Sequence, residues 1–422
     1  MNIIDELEWR GAINQQTDEE GLHDLVSNDN IALYCGIDPT GDSMHIGHLI
    51  PFMILKRFQL AGHQPVVLIG GGTGSIGDPS GRASERQLQT MEQVQENADK
   101  LSAQMRDLFE AGEENSDIRL VNNQEWLGEM QFLDFLRDFG KEFNINKMLA
   151  KDIVSSRLET GISFTEFSYQ IIQSIDFLHL YREENVQLQI GGSDQWGNIT
   201  SGLDLIRKKE GSEAEAYGLT IPLLLKADGT KFGKTAGGAI WLDPEKTTPY
   251  EFYQFWFNQD DRDVEKYLKY FTFLSKDDIA DLAKKTEEEP WKRAAQKVLA
   301  EEMTRFVHGQ EALDEALKIS EALFSGNVQD LTAEQIEMSF KDVPSMEASS
   351  EEVDLVSFLV DVTEISKSRR QAREDIKNGA IYLKGERVQD IDYTVSEKDS
   401  YDGRFILVRR GKKRYYMVHL VD

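Results

Sequence analysis

The chain has 422 residues, too many for one ordinary core, so two or three domains are expected. Hydrophobic residues make up 40%, enough for globular cores, and no apolar run reaches the roughly 18 residues of a membrane-crossing helix. A net charge of −28 argues against a protein that coats nucleic acid unselectively, and the single cysteine, Cys35, excludes an internal disulfide and a cysteine-based zinc cluster.

The first 21 residues are acidic and amphipathic, without the basic start or apolar core of a secretion signal, so a cytoplasmic protein is expected. Residues 31–36 form a short apolar run with an aromatic residue and read as a strand. Asp38-Pro39-Thr40-Gly41-Asp42 is turn chemistry. From His45 the pattern turns helical, with Ile46, Leu49, Ile50, Met53, Ile54 and Phe58 apolar and a stop at Gly62. Pro65 opens a second strand over 66–70, which completes the strand–helix–strand unit of a parallel sheet.

His45-Ile46-Gly47-His48 lies at the helix start, where unpaired backbone N–H groups and the helix dipole suit a phosphate. Gly47 lets a flat group approach the backbone. Taken alone, the tetrapeptide fits equally a helix that carries two solvated histidines. The glycine-rich stretch 70–78 follows the second strand and is neither a Walker A loop nor a dinucleotide fingerprint, so it reads as pocket wall or as a plain turn. Arg82 and Arg86 lie in a polar stretch, either as a solvated face or as an arm that reaches a polyphosphate.

Helical spacing of Val94, Ala98, Leu101, Met105 and Leu108 predicts a helix on the sheet, and 118–121 predicts another strand. Residues 130–143, rich in Phe and Leu, and a helical stretch near 147–158 are apolar enough for either core or a subunit interface. In the helix expected over 164–180, Tyr169, Gln173 and Asp176 form one polar stripe among Ile171, Ile172, Ile175 and Phe177. That stripe suits a buried pocket for a small ligand with an amine and a hydroxyl. After a strand at 186–190, Ser193 or Asp194 is the natural cap of the next helix, and Asp194 also suits ribose hydroxyls. Arg207, Lys208 and Lys209 end that helix, where cations suit the dipole.

A turn at 227–230 leads into Lys231-Phe232-Gly233-Lys234-Thr235. Residues 249–324 read as helical with an aromatic core, and 326–352 as an acidic linker. From Val353 the chain holds 14 Lys and Arg against 12 Asp and Glu, a balance of +2, which leaves −30 on the first 352 residues. This last segment carries a basic helix with Arg369, Arg370 and Arg373, then strands and a basic turn with Arg409, Arg410, Lys412 and Lys413. Two basic clusters on one small domain suit RNA phosphates and RNA shape.

His45-Ile46-Gly47-His48 after a strand, followed 186 residues later by Lys231-Phe232-Gly233-Lys234-Thr235, resembles the paired signatures of class I aminoacyl-tRNA synthetases. Residues 34–40, with Tyr34 and Asp38, and the helix bearing Tyr169, Gln173 and Asp176 narrow the resemblance to the bacterial tyrosyl-tRNA synthetases, over essentially the whole chain. The resemblance implies an α/β chain. A Rossmann-like parallel-sheet catalytic domain would span 1–220, with a dimer-forming insertion near 120–160. The lysine loop would span 221–248 and a helical domain 249–325. The acidic linker would then cover 326–352, and a small α+β RNA-binding domain of ribosomal-protein type 353–422.

For the site, the resemblance implies Thr40 and His45 on the γ-phosphate, and Gly47 and His48 along the nucleotide, with Asp38, Gly192 and Asp194 beside them. Lys231, Lys234, Arg82 and Arg86 would close on pyrophosphate. Position 82 is often Lys in the family, so Arg82 is a small departure. Tyr34 and Asp176 would pair with the tyrosine hydroxyl. Tyr169, Gln173 and Asp78 would hold its ammonium, with Gln195 near its carboxylate. Arg207, Lys208 and the basic residues of the last segment would contact tRNA(Tyr). ATP with Mg2+, L-tyrosine and a second copy of the chain complete the expected partners, with no tightly bound cofactor, no dedicated metal cage and no membrane. The rivals are a tryptophanyl enzyme on the same fold, a non-catalytic RNA-binding relative and a nucleotidyltransferase.

Overall fold

The computed structural model describes residues 2–80, 87–110, 118–159, 161–235, 238–325, 327–341, 343–411 and 414–421. The chain divides into two compact units, one of residues 1–247 and 255–307, the other of 248–254 and 308–422.

The first unit is built on a sheet of six strands: β1 (Gln15–Gln16), β2 (Ala32–Ile37), β3 (Gln64–Ile69), β4 (Arg119–Asn122), β5 (Val186–Gly192) and β6 (Tyr217–Ile221). Their order is β1-β6-β5-β2-β3-β4, all parallel except the two-residue edge β1. Parallel strands need long crossovers, supplied here by helices α1 (Ile46–Leu60), α2 (Met91–Glu110), α3 (Phe164–Glu183) and α4 (Trp196–Glu210). Helices on both faces explain why β2 and β3 read as nearly continuous apolar runs. The order reverses between β2 and β5, and the carboxyl ends of strands beside such a reversal form a crevice. Asp38, residues 70–73, Asn123 and residues 193–195 all leave the sheet there.

The helical stretch expected over 249–325 is not one domain. Helix α5 (Asp261–Phe271) packs with the sheet unit, where Arg57 donates to the carbonyls of Lys269, Tyr270 and Thr272, and Arg10 to Lys269, Thr272 and Leu274. Two buried guanidiniums thereby satisfy the orphan carbonyls of one helix end. Further on, Gly309 breaks the helical run Ala294–Ser325 with φ 84°, a conformation open to glycine, and the division between units falls beside it. A small hairpin, β7 (Lys234–Thr235) with β8 (Gly238–Ala239), completes the first unit.

In the second unit, β9 (Ser345–Ser349), β10 (Val353–Asp354), β11 (Ile381–Leu383), β12 (Glu386–Val388), β13 (Thr394–Val395), β14 (Phe405–Arg410) and β15 (Arg414–Val421) surround helix α6 (Arg369–Lys377). Five strands form one sheet in the order β12-β11-β14-β15-β9. The acidic linker expected over 326–352 is folded. Thr332 caps a helix over Ala333–Phe340, and β9 lies parallel to β15. Val328, Leu331, Ile336 and Phe340 bury against Phe405, Leu407 and Met417, so four well-placed apolar residues outweigh an acidic composition.

Candidate active site

The crevice holds a cavity of about 220 Å³. Tyr34, Asp38, Thr40, His48, Asp78, Tyr169, Gln173, Asp176, Gly192 and Gln195 all line it, so all six expected tyrosine contacts meet in one place. Cys35, Leu68, Thr73 and Gln189 join them without having been singled out for that role.

One end of the cavity is buried and polar. The Tyr34 phenol oxygen has no hydrogen-bond partner, and burial together with Asp176 pushes its pKa well up. Asp176 is 2% exposed and is held by two residues that the sequence did not reveal. Asn123 Nδ2 donates to Asp176 Oδ2 over 3.0 Å, and Trp126 Nε1 to Oδ1 over 2.8 Å. Burial lifts this carboxyl to about 7, against the pull of those two donors. Asn123 also donates to Thr73 Oγ1, which in turn donates to Asp38 Oδ1 over 2.6 Å. Tyr169 completes the chain by donating to Asp38 Oδ2 over 2.8 Å. Asp38 is thus tied through Thr73 and Asn123 to the buried end of the cavity. Asn123 was legible only as a polar residue just past a strand end, and Trp126 carried no signal at all.

Toward the other end, Gln195 Nε2 donates to Asp78 Oδ2 over 2.7 Å, and Asn198 Nδ2 donates to Gln173 Oε1 over 3.0 Å. Neither Ser193 nor Asp194 caps α4: Gln195 occupies that position and makes no side-chain cap bond. A single-turn 3-10 segment, Ser193–Gln195, moves the cap to Gln195, one or two residues beyond the expected position. The Asp194 carboxyl is raised by desolvation beside the cleft and by Asp78, with Lys231 acting the other way, although the residue keeps an exposed edge.

The two signature motifs lie against each other. His45 caps α1 by accepting from the Gly47 N–H over 3.1 Å, while His48 Nδ1 accepts from the His45 N–H over 3.2 Å. The rings stack with centroids 3.8 Å apart. Each Nδ1 accepts a bond, so in the neutral form each ring carries its proton on Nε2. A side chain at Gly47 would begin 2.9 Å from the His45 ring, and one at Gly233 would begin 3.4 Å from the Gly47 nitrogen. The lysine-loop backbone therefore rests on the histidine turn. Phe232 anchors that loop, its ring 4.9 Å from Tyr267 and 5.1 Å from Phe271. The segment after the loop holds it from the other side: Ile46 N–H donates to the Ile240 carbonyl and Leu242 N–H to the Met44 carbonyl. Arg82 and Arg86 lie outside the described residues, and only the backbone of Lys234 is described.

The expected RNA contacts differ in how committed they are. Arg207, Arg370 and Arg373 are exposed. Exposed Lys208 donates to the Glu142 carbonyl, and Arg369 pairs with Asp361. Arg410 is tied inward to Asp375 at 2.8 Å and to the Ile365 carbonyl, so it departs from a free phosphate grip. The Arg409 guanidinium lies 3.7 Å over the Tyr382 ring, and Lys412 and Lys413 fall outside the described residues.

Residues 26–325 match the family model of class I tRNA synthetases (W and Y), and 335–418 match that of the tyrosine–tRNA ligase SYY-like C-terminal domain. Tyrosine–tRNA ligase 2 of Bacillus cereus is 69% identical over 420 residues, and tyrosine–tRNA ligase 1 of Enterococcus faecalis 66% over 422, each with both chains fully covered. Among solved structures, a C-terminally truncated mitochondrial tyrosyl-tRNA synthetase of Aspergillus nidulans superposes with a TM-score of 0.69. It is 32% identical and covers 76% of this chain and 94% of its own.

Proposed function

The chain belongs to the tyrosine–tRNA ligases of class I, and we propose that its cavity activates L-tyrosine with ATP and passes the tyrosyl group to the 3′-terminal adenosine of tRNA(Tyr). The observation that carries this reading is the buried end of the cavity, where the partnerless Tyr34 phenol and the Asp176 carboxylate face one small space. A site built to bond a hydroxyl rejects the analogue lacking it, because its polar groups then stay unpaired. Tyrosyl enzymes are themselves the standing example of that rule.

The tyrosine carboxylate oxygen attacks the α-phosphorus, a bond forms between them, and the bond to the leaving pyrophosphate breaks. The substrate supplies the nucleophile, so the protein contributes position and charge. Asp78, Tyr169 and Gln173 hold the ammonium in this reading, and Gln195 steadies the carboxylate. The Thr40 hydroxyl and the His45 Nε2–H suit oxygens of the γ-phosphate, and His48 lies along the nucleotide. Asp38, Gly47, Gly192 and Asp194 receive the nucleoside. Lys231, Lys234, Arg82 and Arg86 neutralise the departing pyrophosphate. Magnesium enters as part of the ATP substrate, bound to its phosphates.

We assign the apolar segment near 120–160 to contact with a second copy of the chain. Phe132 (66% exposed) and Phe164 (71% exposed) flank an open apolar groove, a combination that monomers avoid. Sedimentation of Phe164→Asp is expected to show a monomer where the parent is a dimer, and an unchanged species would refute the assignment. No helix among the described residues is long and apolar enough to cross a membrane, and a cytoplasmic place stays with this reading.

The decisive experiment is amino-acid-dependent ATP–pyrophosphate exchange, run separately with tyrosine, phenylalanine and tryptophan. Exchange with tyrosine alone is expected. Exchange with tryptophan would keep the chemistry and overturn the pocket.

A further inference from the structure

Trp126 owes its place to a residue one helical turn beyond Asp176. Asp176 and His179 are three apart on α3 and so share a face. The His179 imidazole lies flat on the Trp126 indole, with ring centroids 4.1 Å apart and 17° between the planes. The indole edge meanwhile donates to Asp176 Oδ1 over 2.8 Å. Trp126 is thus held by its face on one α3 side chain and by its edge on another.

Little else on its own element fixes it. The helix bearing Trp126 is the four-residue Gln124–Leu127, and Asn123 before it makes no side-chain cap bond. Asn123 instead spends its amide on Gly72, Thr73 and Asp176. A helix this short has no cooperative stability of its own. Trp126 also packs on the core of the sheet unit, so the ring that covers the indole adds to that packing in setting how firmly the Nε1–H stays on the carboxylate.

We propose that His179 is a positioning residue for amino-acid selection: by stacking on Trp126 it keeps the indole N–H on Asp176, and so holds the carboxylate that receives the tyrosine hydroxyl. The inference rests on the assignment of tyrosine to this pocket. Burial holds the imidazole below its ordinary pKa, with Glu183, Glu184 and Glu125 opposing and Arg182 assisting, so a neutral ring makes the stack. A loosened Trp126 leaves Asp176 held by Asn123 alone, so the carboxylate turns more easily from the hydroxyl; that weakens tyrosine binding and leaves the phosphate end untouched.

Pyrophosphate exchange is measured with His179→Ala, His179→Phe, Trp126→Phe and the double variant Trp126→Phe/His179→Ala. An aromatic stack is worth about a two- to tenfold change in affinity. His179→Ala is expected to raise the KM for tyrosine by that factor, with the KM for ATP unchanged. His179→Phe keeps a flat ring and restores the parental KM. In the Trp126→Phe background His179→Ala adds nothing, because both act along one path. An unchanged tyrosine KM in His179→Ala, an equal rise for both substrates, or additive effects in the double variant would overturn the proposal. Should His179→Ala fail to fold, His179→Phe decides: a parental KM supports the stack and a raised one refutes it. A parent without tyrosine exchange would sink the pocket assignment and this inference together, whereas with an active parent the variants judge His179 alone.

Discussion

Asp176 shows what burial does to a single residue. Its carboxyl sits at about 7 in the folded chain, against an ordinary value of 3.8. Between those values the native state binds more protons than the unfolded chain, so stability falls as pH rises from about 4 to about 7 and is flat above. The ionised native carboxylate costs on the order of 4 kcal/mol in that accounting. Asp176→Asn is expected to lose this component: guanidinium midpoints at pH 5 and pH 7 should differ less in the variant than in the parent. Equal differences would refute the shift. Gly47 makes the opposite case, a residue required for what it lacks. Alanine there favours the helix by about 1 kcal/mol, yet its methyl would meet the His45 ring at 2.9 Å. The methyl must push the His45 ring off its cap, so the lost cap offsets alanine's helix preference and Gly47→Ala is expected to gain no stability, while exchange falls by about 10²-fold. Parental exchange rates would show that the stacked histidines do not need the glycine.

At the scale of elements, the lysine loop is positioned by parts far from it in the chain. Phe232 is seated among Trp256, Tyr267 and Phe271, which come from the helical stretch after the sheet. Truncating such an aromatic costs about 3 kcal/mol or more. Phe232→Ala is expected to lower the unfolding free energy by that amount and to raise the KM for ATP, with tyrosine affinity kept, since the Asp176 pocket shares no side chain with that cluster. A parental KM for ATP would show that the loop finds its place without the anchor. The folding of 326–352 teaches a related lesson. The capping box at Thr332 and the apolar pair Ile336 and Phe340, four apart on its helix, were present in the sequence, but the acidic surroundings masked them.

Across the whole molecule, charge is divided unevenly. The body carries −30 and the last 70 residues +2, so attraction for RNA is local. Arg370 and Arg373 on α6 are exposed. Replacing either with Ala is expected to weaken tRNA(Tyr) binding and to reduce the salt dependence of log K by about one ion each. Tyrosine-dependent exchange should stay as in the parent. An unchanged salt slope would remove these residues from the interface.

The sequence by itself determined the parallel-sheet core and both signature motifs, and it named six residues for tyrosine that the structure brings to one cavity. The reason is that each lies where local rules speak: strand ends, helix starts, and a polar stripe on an apolar helix. Only the tertiary structure decided which residues support them. Asn123 and Trp126 reach Asp176 from a separate segment, and His179, three residues past Asp176 on α3, covers the Trp126 indole; nothing in the sequence announced that the two segments meet. The contact between Gly233 and Gly47, and the pairing of 240–242 with 44–46, likewise join segments nearly two hundred residues apart. Sequence patterns report which face an element buries. Which side chain meets which across that face depends on packing in three dimensions, and there the structure alone is informative.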